Sequence, residues 1–208
     1  LGLEVFASLG PEVIDEFRQK CIRVFADLKL NDIPNTVAGA SRALTRWGAD
    51  MITVHASGGR AMLEAAVGAS REEAKRRGGA PPLMLAVTIL TSLDDESVRE
   101  IGWGRTIEEQ VVEMAGLAIE CGLDGIVASA RETAVLRARL GPEPVIVTPG
   151  IRMPGAQTGD QARTATPKQA LEAGADYLVI GRTITADPDP KRALRELRIA
   201  AGLAPEVG

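Results

Sequence analysis

The sequence holds little of what the commoner active-site chemistries require. One histidine and two cysteines occur in 208 residues and form no cluster, so a zinc site has almost nothing to be built from. Cys21 and Cys121 are far apart, without a Cys-x-x-Cys pair, and each sits among apolar neighbours, which predicts buried, reduced thiols. Neither a Gly-x-Gly-x-x-Gly nor a Walker-type loop is present. No cofactor and no metal is therefore expected. Charge of neither sign dominates: 24 basic residues face 28 acidic ones, for a net charge of −4 and a pI near 5.2. Without a basic footprint, nucleic acid and anionic membrane are not expected partners, and any anionic ligand must be met by a few local cations. No apolar run is long enough to span a bilayer and no secretory signal is evident, so a soluble, cytoplasmic protein is expected. Aromatic residues make up only 3%, and Trp47 and Trp103 are read as packing.

What is present is apolar mass in short, regular parcels. At 45% hydrophobic, 208 residues suffice for one domain with a substantial core, and residues 1–208 are expected to form a single domain. Strands are expected at 23–28, 49–54, 83–89, 125–128, 145–148 and 177–180, with a strand fragment at 1–7. Helices are expected at 11–20, 35–47, 57–77, 106–120, 132–140, 167–173 and 190–200. The Glu/Arg-rich run 71–77 reads as a solvated helix face. Such alternation implies a parallel sheet with right-handed crossovers. Gly-Ala-Asp or Gly-Leu-Asp recurs at 48–50, 122–124 and 174–176, each time as a helix end followed by the start of a strand. A doubly wound sheet and a (β/α)8 barrel both fit. The lack of a dinucleotide fingerprint, and polar residues gathered just after the strands, favour the barrel. Six strands and a fragment stand where a barrel has eight. The expectation is a barrel incomplete at its front, short of about one βα unit and part of the second strand.

The chain reads as organised around Asp27-Leu-Lys-Leu-Asn-Asp-Ile-Pro-Asn-Thr36, at a strand-to-helix junction closed by Pro34. Side chains two apart share a strand face, so Asp27 and Lys29 should point one way and Leu28 and Leu30 the other. An anion and a cation are thus set side by side at the carboxyl end of a strand, with Asp32 just beyond. Two later strands end in glycine and arginine: Thr148-Pro-Gly-Ile-Arg152 and Val179-Ile-Gly-Arg182. In barrels the loops after the last two strands commonly form a phosphate site, and Arg152 and Arg182 offer forked cations for it. His55 closes a strand and is read as making a structural hydrogen bond rather than acting as a base.

The decapeptide Asp-x-Lys-x-x-Asp-Ile-Pro-Asn-Thr resembles the signature of the orotidine 5'-monophosphate decarboxylase family, of bacterial type. The Ile33-Pro34-Asn35-Thr36 extension separates it from sister sugar-phosphate enzymes. Thr148 to Arg152, Gly159-Asp160-Gln161 and Val179 to Arg182 are similar to the family's phosphate-binding pieces, and Leu90-Thr91-Ser92 to its Leu-Thr-Ser. The resemblance implies a (β/α)8 barrel that converts orotidine 5'-monophosphate to UMP and carbon dioxide without a cofactor. Lys29 would stabilise the carbanion and donate the proton, and Asp27 would hold Lys29. Asp32 with Ile33, Pro34, Asn35 and Thr36 would reach a neighbouring subunit's site in a homodimer. Thr91 would face the pyrimidine, and Arg152, Gln161, Gly181 and Arg182 would bind the 5'-phosphate. The loop 150–161 would serve as a lid. The resemblance also implies an aspartate and a lysine in chain ahead of Leu1, the lysine immediately before the Leu1-Gly2-Leu3-Glu4 segment. Two other readings stay open: a related sugar-phosphate decarboxylase, and a nucleotide-binding barrel with little or no activity.

Overall fold

A computed structural model describes residues 1–153 and 164–204. In chain order the elements are α1 (Leu3–Leu9), α2 (Glu12–Gln19), β1 (Phe25–Leu30), α3 (Pro34–Trp47), β2 (Met51–His55), α4 (Gly59–Arg76), β3 (Leu83–Val87), α5 (Asp95–Glu100), α6 (Ile107–Glu120), β4 (Gly125–Val127), α7 (Ala130–Leu140), β5 (Val145–Thr148), α8 (Pro167–Glu172), β6 (Tyr177–Leu178), α9 (Arg182–Thr185) and α10 (Pro190–Ala200). The strands form one sheet in the order β1-β2-β3-β4-β5-β6. A doubly wound sheet reverses its order at a switch point, whereas a barrel sheet runs in chain order. The sheet is that of a (β/α)8 barrel, with six strands among the described residues. Among the described residues no helix is long and apolar enough to cross a membrane.

Contacts gather into two units. The first comprises residues 1–88 and 114–126. Its core is drawn from β2 and β3 with α2 and α4, where Ile14, Ile52, Met62, Leu63, Met84 and Leu85 are fully or almost fully buried. Each contributes roughly 1.5–3 kcal/mol of apolar burial. Helices α3 and α4 meet through small residues, and their contact includes a Thr45 Oγ1 to Ser70 Oγ hydrogen bond of 3.0 Å. The second unit comprises residues 89–113 and 127–208, with Val98, Leu136, Ile146 and Ile151 buried. There β5 pairs with β6 in parallel, Val147 opposite Tyr177 and Thr148 opposite Leu178.

The three Gly-x-Asp segments do one job three times. Each glycine ends a helix at positive φ: +86° at Gly48, +85° at Gly122 and +104° at Gly174. L side chains rarely adopt that backbone, which ends a helix by turning the N–H groups of the glycine and the next residue back onto the last helical carbonyls. Two residues on, the aspartate carboxylate accepts a backbone N–H from the neighbouring strand: Asp50 from Val24 at 2.7 Å, Asp124 from Met84 at 2.7 Å and Asp176 from Ile146 at 2.8 Å. The same three aspartates donate their own N–H to the carbonyls of Val24, Met84 and Ile146. An arginine from the helix before that neighbouring strand lies over each glycine: Arg18, Arg71 and Arg137. Arg71 and Arg137 donate to the glycine carbonyls at 2.7 and 2.8 Å. Cations there also suit the negative end of a helix.

Four expectations are corrected. Residues 1–7 are not a strand end: only the Leu1–Gly2 backbone pairs with β1, where the Asp27 N–H donates to the Leu1 carbonyl at 2.9 Å, and Leu3 onward is α1. Leu3, Phe6 and Leu9 are spaced three apart, a helical rather than an alternating pattern. Cys21 is exposed, on a positive-φ turn (+57°) after α2, so its apolar neighbours in sequence do not cover it; Cys121 is buried as expected. Residues 71–77 are not simply a solvated face, because the Glu73 side chain is only 2% exposed. Glu73 shares a stripe with Ala66, Ser70 and Ala74, and Arg46 and Arg76 reach its carboxylate at 3.2 and 2.7 Å. Those bonds hold its carboxyl down from the ordinary 4.5 to about 2, against the cost of burial. Helices α5 and α9 were not expected at all.

Candidate active site

Two of the decapeptide's three charges meet at the carboxyl end of β1. Lys29 Nζ lies 2.7 Å from Asp27 Oδ2, with the two side chains 30% and 25% exposed. A strictly regular strand does not produce this contact. The β1–β2 ladder runs Phe25 opposite Met51 and Ala26 opposite Ile52, then loses register before Leu30 meets Val54. Inside that break Lys29 takes φ +51°, a region that non-glycine residues seldom occupy and that clusters at functional sites. The displaced Lys29 N–H donates to Thr53 Oγ1 at 2.8 Å, and Thr53 Oγ1 donates to Asp27 Oδ1 at 3.0 Å. Asp27 thus has one oxygen on the ammonium and the other on a buried hydroxyl. Such a pair is preorganised without being sealed from solvent, which suits chemistry that needs a charged ammonium at a fixed point.

His55 ends β2, half-buried. Burial first, and then the Lys29 charge, push its pKa below the ordinary 6.5, with Asp27 opposing. A neutral imidazole at neutral pH follows. The hydrogen bond expected of His55 is not formed with any described side chain or backbone group.

Asp32, Ile33, Pro34, Asn35 and Thr36 are all exposed. Asp32 Oδ1 accepts the Ile33 N–H at 2.6 Å, and Ile33, 67% exposed, precedes the Pro34 that starts α3. Among the described residues no hydrogen bond or ion pair joins Asp32 to Asp27 or Lys29, so the decapeptide divides into a paired half and an outward-facing half.

In the second unit, Arg152 and Arg182 follow the adjacent strands β5 and β6. Gly150 at φ +78° turns the chain out of β5, and an isolated parallel bridge between Ile151 and Ala165 fixes its direction, with the Arg152 N–H on the Ala165 carbonyl at 2.9 Å. The half-buried Arg152 guanidinium donates to the Ile151 carbonyl at 2.9 Å. Gly181 precedes α9, and Arg182, its first residue, is exposed. Thr91 is half-buried in the turn after β3, where the Leu93 N–H meets the Leu90 carbonyl at 3.0 Å. Gln161, and most of the expected lid, lie outside the described residues. Among the described residues no group of three or more His, Cys, Asp or Glu side chains is arranged to hold a metal ion.

Residues 1–197 match the family described as Orotidine 5'-phosphate decarboxylase / HUMPS. The chain belongs to this family. It is similar to the orotidine 5'-phosphate decarboxylase of Moorella thermoacetica, with 56% identity over 95% of this chain and 79% of that protein. It is 46% identical to the enzyme of the same name from Paramagnetospirillum magneticum, over 98% and 86%. Among solved structures, the orotidine 5'-phosphate decarboxylase from Lactobacillus acidophilus superposes with a TM-score of 0.85 at 37% identity, covering 97% of this chain and 85% of that one.

For this member of the decarboxylase family, sequence reasoning missed Thr53. A threonine inside an apolar strand carries no signal of its own. What joins it to Lys29 is a register break between two strands, and no spacing along the chain encodes that.

Proposed function

We propose that the protein decarboxylates orotidine 5'-monophosphate to UMP in pyrimidine biosynthesis, in the cytoplasm, and without a cofactor. The observation that carries this reading is the Asp27–Lys29 pair in a chain of this family, held at 2.7 Å by a strained turn of β1. Breaking the C6–carboxylate bond releases carbon dioxide and leaves an electron pair in the plane of the pyrimidine ring, where no π system accepts it. Stabilisation must come from a nearby positive charge. The Lys29 ammonium supplies it, then transfers a proton to C6 and is reprotonated from solvent. Asp27 keeps the ammonium in place and lies on the side from which the carboxylate departs.

Arg152, Gln161, Gly181 and Arg182 bind the 5'-phosphate, and Thr91 contacts the pyrimidine. Phosphate binding remote from C6 supplies energy for closing the site over the reacting carbon. The outward-facing Asp32 to Thr36 segment completes the site of a second subunit, making the active species a homodimer. Its exposure in the single chain supports that role.

The test is loss of orotidine 5'-monophosphate absorbance with the purified chain beside Lys29→Ala. Turnover that disappears in the variant supports the reading. A folded protein that binds UMP but does not turn over replaces it with nucleotide binding alone. Turnover of a sugar phosphate instead, in a panel run with and without magnesium, assigns the chain to the sister chemistry.

A further inference from the structure

Lys29 and Asp27 are not fixed by each other alone. Where β1 loses register with β2, the ladder no longer offers the Lys29 N–H a carbonyl, and the residue sits at φ +51°. One atom repairs both problems. Thr53 Oγ1, fully buried on β2, accepts the Lys29 N–H at 2.8 Å and donates its proton to Asp27 Oδ1 at 3.0 Å. That leaves Asp27 Oδ2 for the ammonium at 2.7 Å. A buried strand threonine is ordinarily a packing residue. This one differs in that both of its partners belong to the charged pair, and one of them is the positive-φ residue itself. Its β-branched side chain has few rotamers to choose from, so the hydroxyl is a stiff strut.

We propose that Thr53 is a positioning residue for decarboxylation, a hydroxyl clip that sets where the Lys29 ammonium stands relative to the reacting carbon. The inference rests on the decarboxylase reading and deepens it. Thr53→Val keeps the shape and removes the clip; Thr53→Ser keeps the hydroxyl and loses only a methyl group. Misplacing a catalytic group by a fraction of an ångström leaves binding intact and slows chemistry. In Thr53→Val, kcat per UMP-binding site is therefore expected to fall roughly 10- to 100-fold with KM and UMP affinity within about twofold of the parent. Thr53→Ser restores most of the rate. Counting sites by UMP titration removes any loss due to unfolded protein.

A second measurement does not depend on turnover. By amide hydrogen exchange, the Lys29 N–H is expected to be protected in the parent and in Thr53→Ser, and to exchange freely in Thr53→Val. Rapid exchange of the Lys29 amide in the folded parent overturns the clip, as does a Thr53→Val kcat equal to the parent's. A parent with no turnover overturns the decarboxylase reading instead, and the amide exchange alone then decides for or against the clip.

Discussion

Strand β1 is tied to the segment of β2 at both ends by a side-chain oxygen, and the two ties are built differently. At the amino end the Asp50 carboxylate takes the Val24 N–H at 2.7 Å, behind a helix-ending glycine, and the same device recurs at Asp124 and Asp176. At the carboxyl end the Thr53 hydroxyl takes the N–H of a lysine in a left-handed backbone, beside a half-exposed ion pair. The first tie satisfies regular backbone and can be repeated wherever a βα unit begins. The second holds an irregular backbone that a stability optimum would not select. On the proposed function, the amino ends of these strands serve assembly and the carboxyl ends serve chemistry.

The strongest test of this division is Lys29→Ala. It should abolish measurable decarboxylation, a loss of at least about 100-fold, while UMP binding and thermal stability change little, because the side chain is partly exposed and its loss relieves a positive-φ position only slightly. A large drop in melting temperature would break the division. Next comes Arg182→Ala, expected to lower kcat/KM about 10- to 100-fold by removing a charged contact to the phosphate. Parent-like kinetics would remove Arg182 from the site.

At the other ends the expected readout is reversed. Asp50→Ala or Asp176→Ala leaves a strand N–H without its acceptor, at a cost of about 1–3 kcal/mol, and should lower the melting temperature by several degrees with kcat unchanged at low temperature. Paired with Lys29→Ala, such a variant should show additive effects.

Acid sharpens the comparison further. The Glu73 carboxyl is held at about 2 in the folded chain against an ordinary 4.5, so the unfolded state binds the extra proton first. This contribution to stability is complete above about 4.5 and is lost as pH falls toward 2. Glu73→Gln should flatten the stability-pH curve in that window, as followed by thermal melts. The smallest effect is the most local. With a single histidine, the imidazole resonance reports on the site directly. Lys29→Ala should raise the His55 pKa and Asp27→Asn should lower it, in both cases leaving it below 6.5, since burial is the largest cause. Unchanged titration in both variants would separate His55 from the pair.

The division also explains what could be read in the sequence. Apart from the fragment expected at 1–7, strand spans were legible to within a residue or two because buried parallel strands are short apolar runs, and Val145–Thr148 matches its expected bounds. Gly-x-Asp was legible as helix end and strand start, since both signals are local. The partner of each aspartate was not, because it lies on another strand. Asp27 and Lys29 were picked out by their spacing, yet the alternation rule invoked for them holds only for regular strand, and the structure reaches the same contact through a break in it. Thr53 and the covering arginines Arg18, Arg71 and Arg137 stayed hidden for the same reason. The exposure of Cys21 was hidden by a turn whose positive φ carries no glycine to announce it.

The Gly-x-Asp segments carry a consequence for how the chain is made. Each aspartate reaches back to a strand only 26, 40 or 30 residues earlier in the sequence. A parallel sheet is ordinarily slow to form because its strand partners are distant in the chain. Here every second unit secures the one synthesised just before it, β2 to β1, β4 to β3 and β6 to β5, so the sheet is expected to grow by pairs of strands behind the ribosome, in the direction of translation, without waiting for its last strand.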